Sequence, residues 1–256
     1  ALGYQATGGA FIYRRSIAKD AFGTDDPAEI AKLIGAGSNS GDKFFEAAST
    51  LKSKGYGIVS GDGDLWHAVE NSSDKGWIVD GKLYIDPKRE AFLDLSKKLK
   101  DEDLHNDTQD WSDAWFADMK GEGPKGIFGF FGPAWLINYT LAPNCGGEAV
   151  GEGTYGDWAV CAPPIGFFWG GTWICAATGT DNQSLIKDIM LQLTTNEKTM
   201  TDIVKDDDDF VNNKPAMEAM AKDTSYQSGV LGGQNPLSIF CAGVDNLDLS
   251  NLSPYD

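Results

Sequence analysis

The feature that most constrains this 256-residue chain is the alternation, over its first 175 residues, of short apolar runs with longer helical stretches. Residues 9–13, Gly-Ala-Phe-Ile-Tyr, read as a buried strand that ends at Arg14-Arg15. Asp25-Asp26-Pro27 is an N-cap signal for a helix to about Ile34, and residues 35–41 form a flexible polar loop. Phe44, Ala48 and Leu51 recur at helical spacing, and Ile58-Val59 follows as a short strand. Residues 60–80 are loop-rich and carry Trp66 and Trp77. A small strand at 82–85 precedes Asp86-Pro87, which opens the clearest helix, with Phe92, Leu95 and Leu99 on its core face and Lys97, Lys98 and Lys100 in its last turns. Residues 110–119 are helical, 127–131 form a strand, and Gly132-Pro133 starts a helix through Trp135, Leu136 and Tyr139. Residues 157–161 form another strand, 182–222 are helical in at least three pieces, and 235–241 form a short helix. Strands alternating with helices predict an α/β sheet covered by helices.

Composition narrows the function. A net charge of −17 repels nucleic acid and anionic lipid headgroups, so a neutral ligand fits better. No run approaches the roughly 18 apolar residues of a membrane-spanning helix. The cysteines Cys145, Cys161, Cys175 and Cys241 lack CxxC spacing, and no cofactor or metal is expected. Cys145 and Cys161 flank a Gly-rich stretch that a disulfide could close, whereas Cys175 in Trp-Ile-Cys-Ala-Ala reads as a buried thiol. The acidic run Asp206 to Asp209 reads as a solvated loop, since consecutive carboxylates cannot all face one ion.

The eight Trp and 31 Gly are the excesses that need placing. Flat aromatics stack on the apolar faces of pyranose rings while carboxylates, amides and backbone groups take the hydroxyls. Trp66 lies beside Asp64 and His67 in a glycine-bearing loop after a strand, Trp135 follows a strand–Gly-Pro junction, and Trp169 and Trp173 bracket Gly170-Gly171, which leave room for a ring. Trp66, Trp135 and Trp169 are therefore candidate platforms. Core packing is the expectation for Trp77, for Trp158 inside a strand, and for Trp111 and Trp115, four residues apart on one helix face. Asp62 and Asp64 also admit a glycosidase acid and nucleophile as an alternative. No GxSxG, HExxH or P-loop motif is present.

Seven motifs in order resemble family 1 extracellular solute-binding proteins, the maltose-binding-protein-like receptors of ABC sugar importers. They are Gly3-Tyr-Gln-Ala-Thr-Gly-Gly-Ala-Phe-Ile-Tyr-Arg-Arg15, Gly61-Asp-Gly-Asp-Leu-Trp-His67, Asp110-Trp-Ser-Asp-Ala-Trp-Phe-Ala-Asp-Met-Lys-Gly121, Phe130-Phe-Gly-Pro-Ala-Trp135, Gly156-Asp-Trp-Ala-Val160, Phe168-Trp-Gly-Gly-Thr-Trp173 and Gly232-Gly-Gln-Asn-Pro236. The resemblance implies a periplasmic-binding-protein-like (type II) α/β lobe, its mixed sheet flanked by helices. It implies a sugar or oligosaccharide ligand, ABC permease partners, a place outside the cell membrane as a cell-surface lipoprotein or in the periplasm, and a lipid anchor outside this chain. A non-sugar solute is the other receptor reading.

By the same resemblance, residues 1–170 form the second lobe starting at the hinge, 171–233 a helical segment that packs on the first lobe, and 234–256 a return toward the second lobe. The chain then starts where such a receptor first crosses its hinge, at Thr7-Gly8-Gly9, and stops before the usual final helices. Position by position, Trp135 matches the family's Gly-Pro-x-Trp platform and Gly170 and Gly171 its glycine pair at the cleft. Asp64 and Trp66 lie where a strand-end loop meets the ligand, and Gln234 and Asn235 match a segment near the cleft mouth.

Overall fold

A computed structural model of the chain describes residues 1–247 and Leu249. Its centre is strand β2, reached after a two-residue strand at the start of the chain. In chain order the strands are β1 (Leu2–Gly3), β2 (Ala10–Arg14), β3 (Tyr56–Gly57), β4 (Ile78–Val79), β5 (Lys82–Leu83), β6 (Gly126–Ile127), β7 (Gly129–Gly132), β8 (Trp158–Cys161) and β9 (Trp173–Ile174). Strand β2 runs antiparallel to both β7 and β8, with Phe11 opposite Phe131 on one side and Cys161 on the other. A separate parallel pair, β6 with β3, is joined to β7 by Gly129 N–H donating to the Ile58 carbonyl, and Val59 bridges in parallel sense to His105. The strand pairing around β2 is thus mixed. Its apolar run 10–13 does not alternate with polar residues because both of its faces are covered.

Two cores result. Ala10, Ile12, Phe130, Trp158 and Val160 face one, while Phe11, Tyr13, Phe131, Ala159 and Cys161 face the other, as the two-residue period of a strand requires. Helices α1 (Arg15–Phe22), α2 (Pro27–Leu33), α3 (Asp42–Ser53), α4 (Gly63–Glu70) and α5 (Pro87–Asp101) cover the second face. The first is covered by α6 (Asp113–Lys120), a π-helical turn (Leu136–Leu141) that runs into the short α7 (Ala142–Asn144), then α9 (Glu197–Asp207), α10 (Lys214–Ala221) and α11 (Leu237–Asp245). Helix α8 (Gln183–Thr195) lies outside, with Leu185, Ile189 and Leu191 exposed.

The caps explain where the helices start. Asp26 accepts from the N–H groups of Ala28 and Glu29, Asp86 from that of Lys88, and each precedes a proline at the first helical position. Helix α4 falls in a stretch that its glycines mark as loop, yet Leu65, Ala68 and Val69 recur on one buried face. Between β4 and β5, Asp80 and Gly81 both take positive φ, 52° and 73°, the geometry of a tight hairpin turn.

Within the segment after residue 171, Met200, Val204, Met217 and Met220 share the first core with Ile12 and Trp115. Beyond it, Leu237 and Phe240 enter the same core, and the rest of the expected return, residue 248 and residues 250–256, lies outside the described residues. Cys145 and Cys161 do not bridge. Cys161 points to the second face of the sheet, among Phe11 and Phe131, whereas the Cys145 thiol donates to the carbonyl of Ala142 at 3.0 Å. Cys175, directly after the two-residue strand β9, is exposed and not the buried thiol expected. The acidic run is only partly solvated: Asp206 and Asp207 end α9, but Asp209 is buried and accepts from Gln5 Nε2 at 2.7 Å.

Candidate functional site

Three tryptophans from separate chain segments converge at one edge of the sheet. Trp135 stands directly after β7 and Pro133, and its ring lies nearly parallel to that of Trp111, with centroids 6.1 Å apart and 11° between planes. It meets Trp169 edge to face at 4.8 Å, and its Nε1–H donates to the Trp169 carbonyl at 3.0 Å. The π-helical turn begins right after Trp135, a wide-turn geometry frequently found at functional sites. Trp169 is in turn stacked on the imidazole of His67, with centroids 3.6 Å apart and 16° between planes.

Beside these rings opens a cavity of about 600 Å³, lined by Asp62, Gly63, His67, Asp107, Thr108, Gln109, Asp110, Trp111 and Trp169. The backbone that frames it is held tightly. Trp169 N–H donates to the Thr7 carbonyl, the Thr7 hydroxyl donates to the Gly170 carbonyl at 2.9 Å, and Gly170 and Gly171 take φ of 65° and 127°. A side chain at either glycine would be strained there. A Cβ on Gly63 would sit 2.6 Å from both carboxylate oxygens of Asp110, so only glycine lets Asp110 reach His67 Nε2 at 2.9 Å.

Trp111 is the residue that sequence reading missed. It is not on the helix with Trp115: Ser112 caps α6, its hydroxyl accepting from Trp115 N–H, and Trp111 precedes that cap with φ of 64°. A bulky residue in this left-handed region is an outlier that tends to mark function. Trp115 is fully buried, while Trp111 stands on it, 52% exposed, with ring centroids 5.3 Å apart. The Ser112-Asp113 cap signal was the available clue. His67 and Asp110 were also missed, although both lie in the recognised motifs.

The remaining candidates are dispersed. Trp66 packs edge-on against Phe92 of α5 at 5.0 Å, because adjacent helical residues point about 100° apart and His67 takes the direction of the cleft. Asp64 is 2% exposed and accepts from Gly61 N–H at 3.2 Å, beneath the site. Gln234 spends its amide on the free edge of β8, accepting from Val160 N–H at 2.8 Å and donating to the Val160 carbonyl at 2.9 Å. Asn235 accepts from Leu237 N–H at the start of α11 and donates to the carbonyls of Met220 and Asp223, joining α10 to α11. Both amides thus brace the fold.

Burial dominates the electrostatics below the cleft. It pushes the Asp64 carboxyl well above the usual carboxylate range, with the nearby Asp110 charge adding to the effect. It also raises Asp118, against the opposing hydrogen bonds from Ser60 and Asn106, each at 2.6 Å. A carboxyl raised in the folded state retains a proton that the unfolded chain has released. Stability is therefore lost as pH rises from the ordinary carboxylate range toward the folded value. Asp64→Asn removes this titration and keeps an oxygen for Gly61 N–H. Its melting temperature is expected to fall less than the parent's between acidic and neutral pH. Equal slopes in thermal melts across that range would contradict the assignment.

No protein-family model matches the chain, and no curated protein matches it in sequence. Solved structures do match in fold. A family 1 extracellular solute-binding protein superposes with a TM-score of 0.80 at 20% identity, covering 98% of this chain and 62% of its own. This chain has the solute-binding-protein fold. The galacto-N-biose-/lacto-N-biose I-binding protein of an ABC transporter from Bifidobacterium longum, in complex with lacto-N-biose, gives a TM-score of 0.66 at 18% identity, covering 99% of this chain and 60% of its own. The sugar-binding protein MalE from Xanthomonas citri gives 0.57 at 10% identity, covering 98% and 59%. The chain thus spans about three-fifths of the length of these solute-binding proteins. No helix among the described residues is long and apolar enough to cross a membrane.

Proposed function

We propose that this chain captures a sugar or oligosaccharide for an ABC importer outside the cell membrane, and that it turns nothing over. The observation that carries this reading is the convergence of Trp111, Trp135 and Trp169 beside an open, carboxylate-lined cavity. Stacking rings next to hydrogen-bonding oxygens are what pyranose recognition requires. The fold neighbours include proteins whose names state sugar binding for ABC transporters, which supports the same reading. On it, permease subunits are the partners, a lipid anchor lies outside this chain, and residues 1–170 and 234–256 belong to one of two lobes, against which Met200, Val204, Met217 and Met220 of the intervening segment also pack.

The glycosidase alternative finds less support. Hydrolysis needs two carboxyl groups flanking a scissile bond across open space. Asp64 is buried on its own backbone turn, and Asp62 accepts from the Ser96 hydroxyl at 2.6 Å. A glycan panel read both by tryptophan fluorescence and by release of reducing ends tests the proposal. Saturable binding without turnover is expected; release of reducing ends would overturn it.

A further inference from the structure

Resting on the receptor reading above, we infer that the cleft ranks otherwise matched sugars by charge: a sugar with a free ammonium group above its neutral counterpart, and the neutral sugar above the uronate. The cavity presents Asp62, Asp107 and Asp110, and neither Lys nor Arg lines it. The charge of Asp107 is answered by Lys100, with His105 at 3.6 Å. The other two carboxylates are less satisfied. Asp62 takes a hydroxyl from Ser96 and forms no ion pair among the described residues. Asp110 pairs with His67 through Oδ2 alone, while its Oδ1 is buried without a hydrogen-bond partner.

The aromatic wall acts in the same sense. Trp111 and Trp169 line this cavity, and an aromatic ring face attracts a cation and offers an anion nothing. The whole-chain charge of −17 extends the field beyond the cleft. A carboxylate on the ligand would enter a site whose nearest charges match its own. An ammonium group would find the Asp62 carboxylate, which forms no ion pair among the described residues, and aromatic rings in the same cavity.

Glucose, glucosamine and glucuronate, with the matching galacto series, form the test, titrated at about pH 6, where the amine is protonated and the uronate ionised. At low ionic strength each charge step is expected to change the dissociation constant about tenfold, the size of a unit-charge interaction over several ångströms in a half-solvated site. Raising salt to about 1 M shortens the screening length to roughly 3 Å and should draw the three constants together. Asp62→Asn should narrow the spread at low salt, and should that variant fold poorly, the salt series on the unmodified chain carries the test. A uronate that binds as tightly as its neutral partner at low salt would overturn this inference and leave the receptor reading standing. Absence of saturable binding by every sugar in both series and in the glycan panel would overturn both.

Discussion

Trp135→Ala is expected to weaken sugar binding by about 5- to 150-fold, the loss of one stacked aromatic worth roughly 1–3 kcal/mol, while the variant stays folded. Trp135 is half-buried at the rim of the first core and shares its ring surface with Trp111 and Trp169. Trp115→Ala should behave in the opposite way. Trp115 is fully buried and its indole N–H has no hydrogen-bond partner, so truncation removes packing alone. A cavity of that kind costs about 3–5 kcal/mol of stability. Thermal melts and fluorescence titrations of both variants separate the two roles. Equal loss of affinity in both, with folding intact, would contradict the assignment of Trp135 as the platform.

The second large effect is expected at Gly9. A Cβ there would lie 2.1 Å from the Phe167 ring, and Gly9 N–H donates to the Phe167 carbonyl at 2.8 Å. The close approach keeps residues 167–170 flat against residues 7–9, where Gly8 bridges to Phe168 and the Thr7 carbonyl holds Trp169 N–H. Gly9→Ala therefore forces Phe167 out of the second core and shifts Trp169 with it. Overpacking of this sort costs about 1–3 kcal/mol, and sugar affinity should fall in parallel because the cleft wall moves. Phe167→Leu in the same chain makes room for the new methyl group. The double variant is expected to be more stable than the sum of the single losses predicts. Additive losses in denaturant melts would show that Gly9 and Phe167 do not compete for the same space.

Much of this architecture was legible in the sequence because its strongest signals are local. The uninterrupted apolar run before Arg14, the Asp-Pro openings of α2 and α5 and the helical spacing of Phe44, Ala48 and Leu51 all specify their elements without long-range help. The position of Trp135 was legible for the same reason, since Gly132-Pro133 fixes the end of β7 next to it. What was not legible depends on which of two neighbours turns inward. Trp66 and His67 are adjacent on α4, and only the packing of Phe92 decides that Trp66 faces α5. Trp111 and Trp115 share a helical spacing that loses its meaning once Ser112 caps the helix between them. Gln234 and Asn235 sit in a recognisable motif, but their amides are consumed by Val160 and by the end of α10, partners distant in sequence.

The central claim is that Trp111, Trp135 and Trp169 form the surface on which a sugar ring rests. Indole N–H resonances report on it most directly, because each of the eight tryptophans gives its own signal. The signals should be assigned by single Trp→Phe variants and followed during titration with a sugar that the glycan panel identifies. Those of Trp111, Trp135 and Trp169 are expected to move along one saturable isotherm, while those of the buried Trp115 and Trp158, and of Trp66 against Phe92, stay in place. Saturation that moves Trp66 or the core tryptophans and leaves the three cleft signals unchanged would contradict the account.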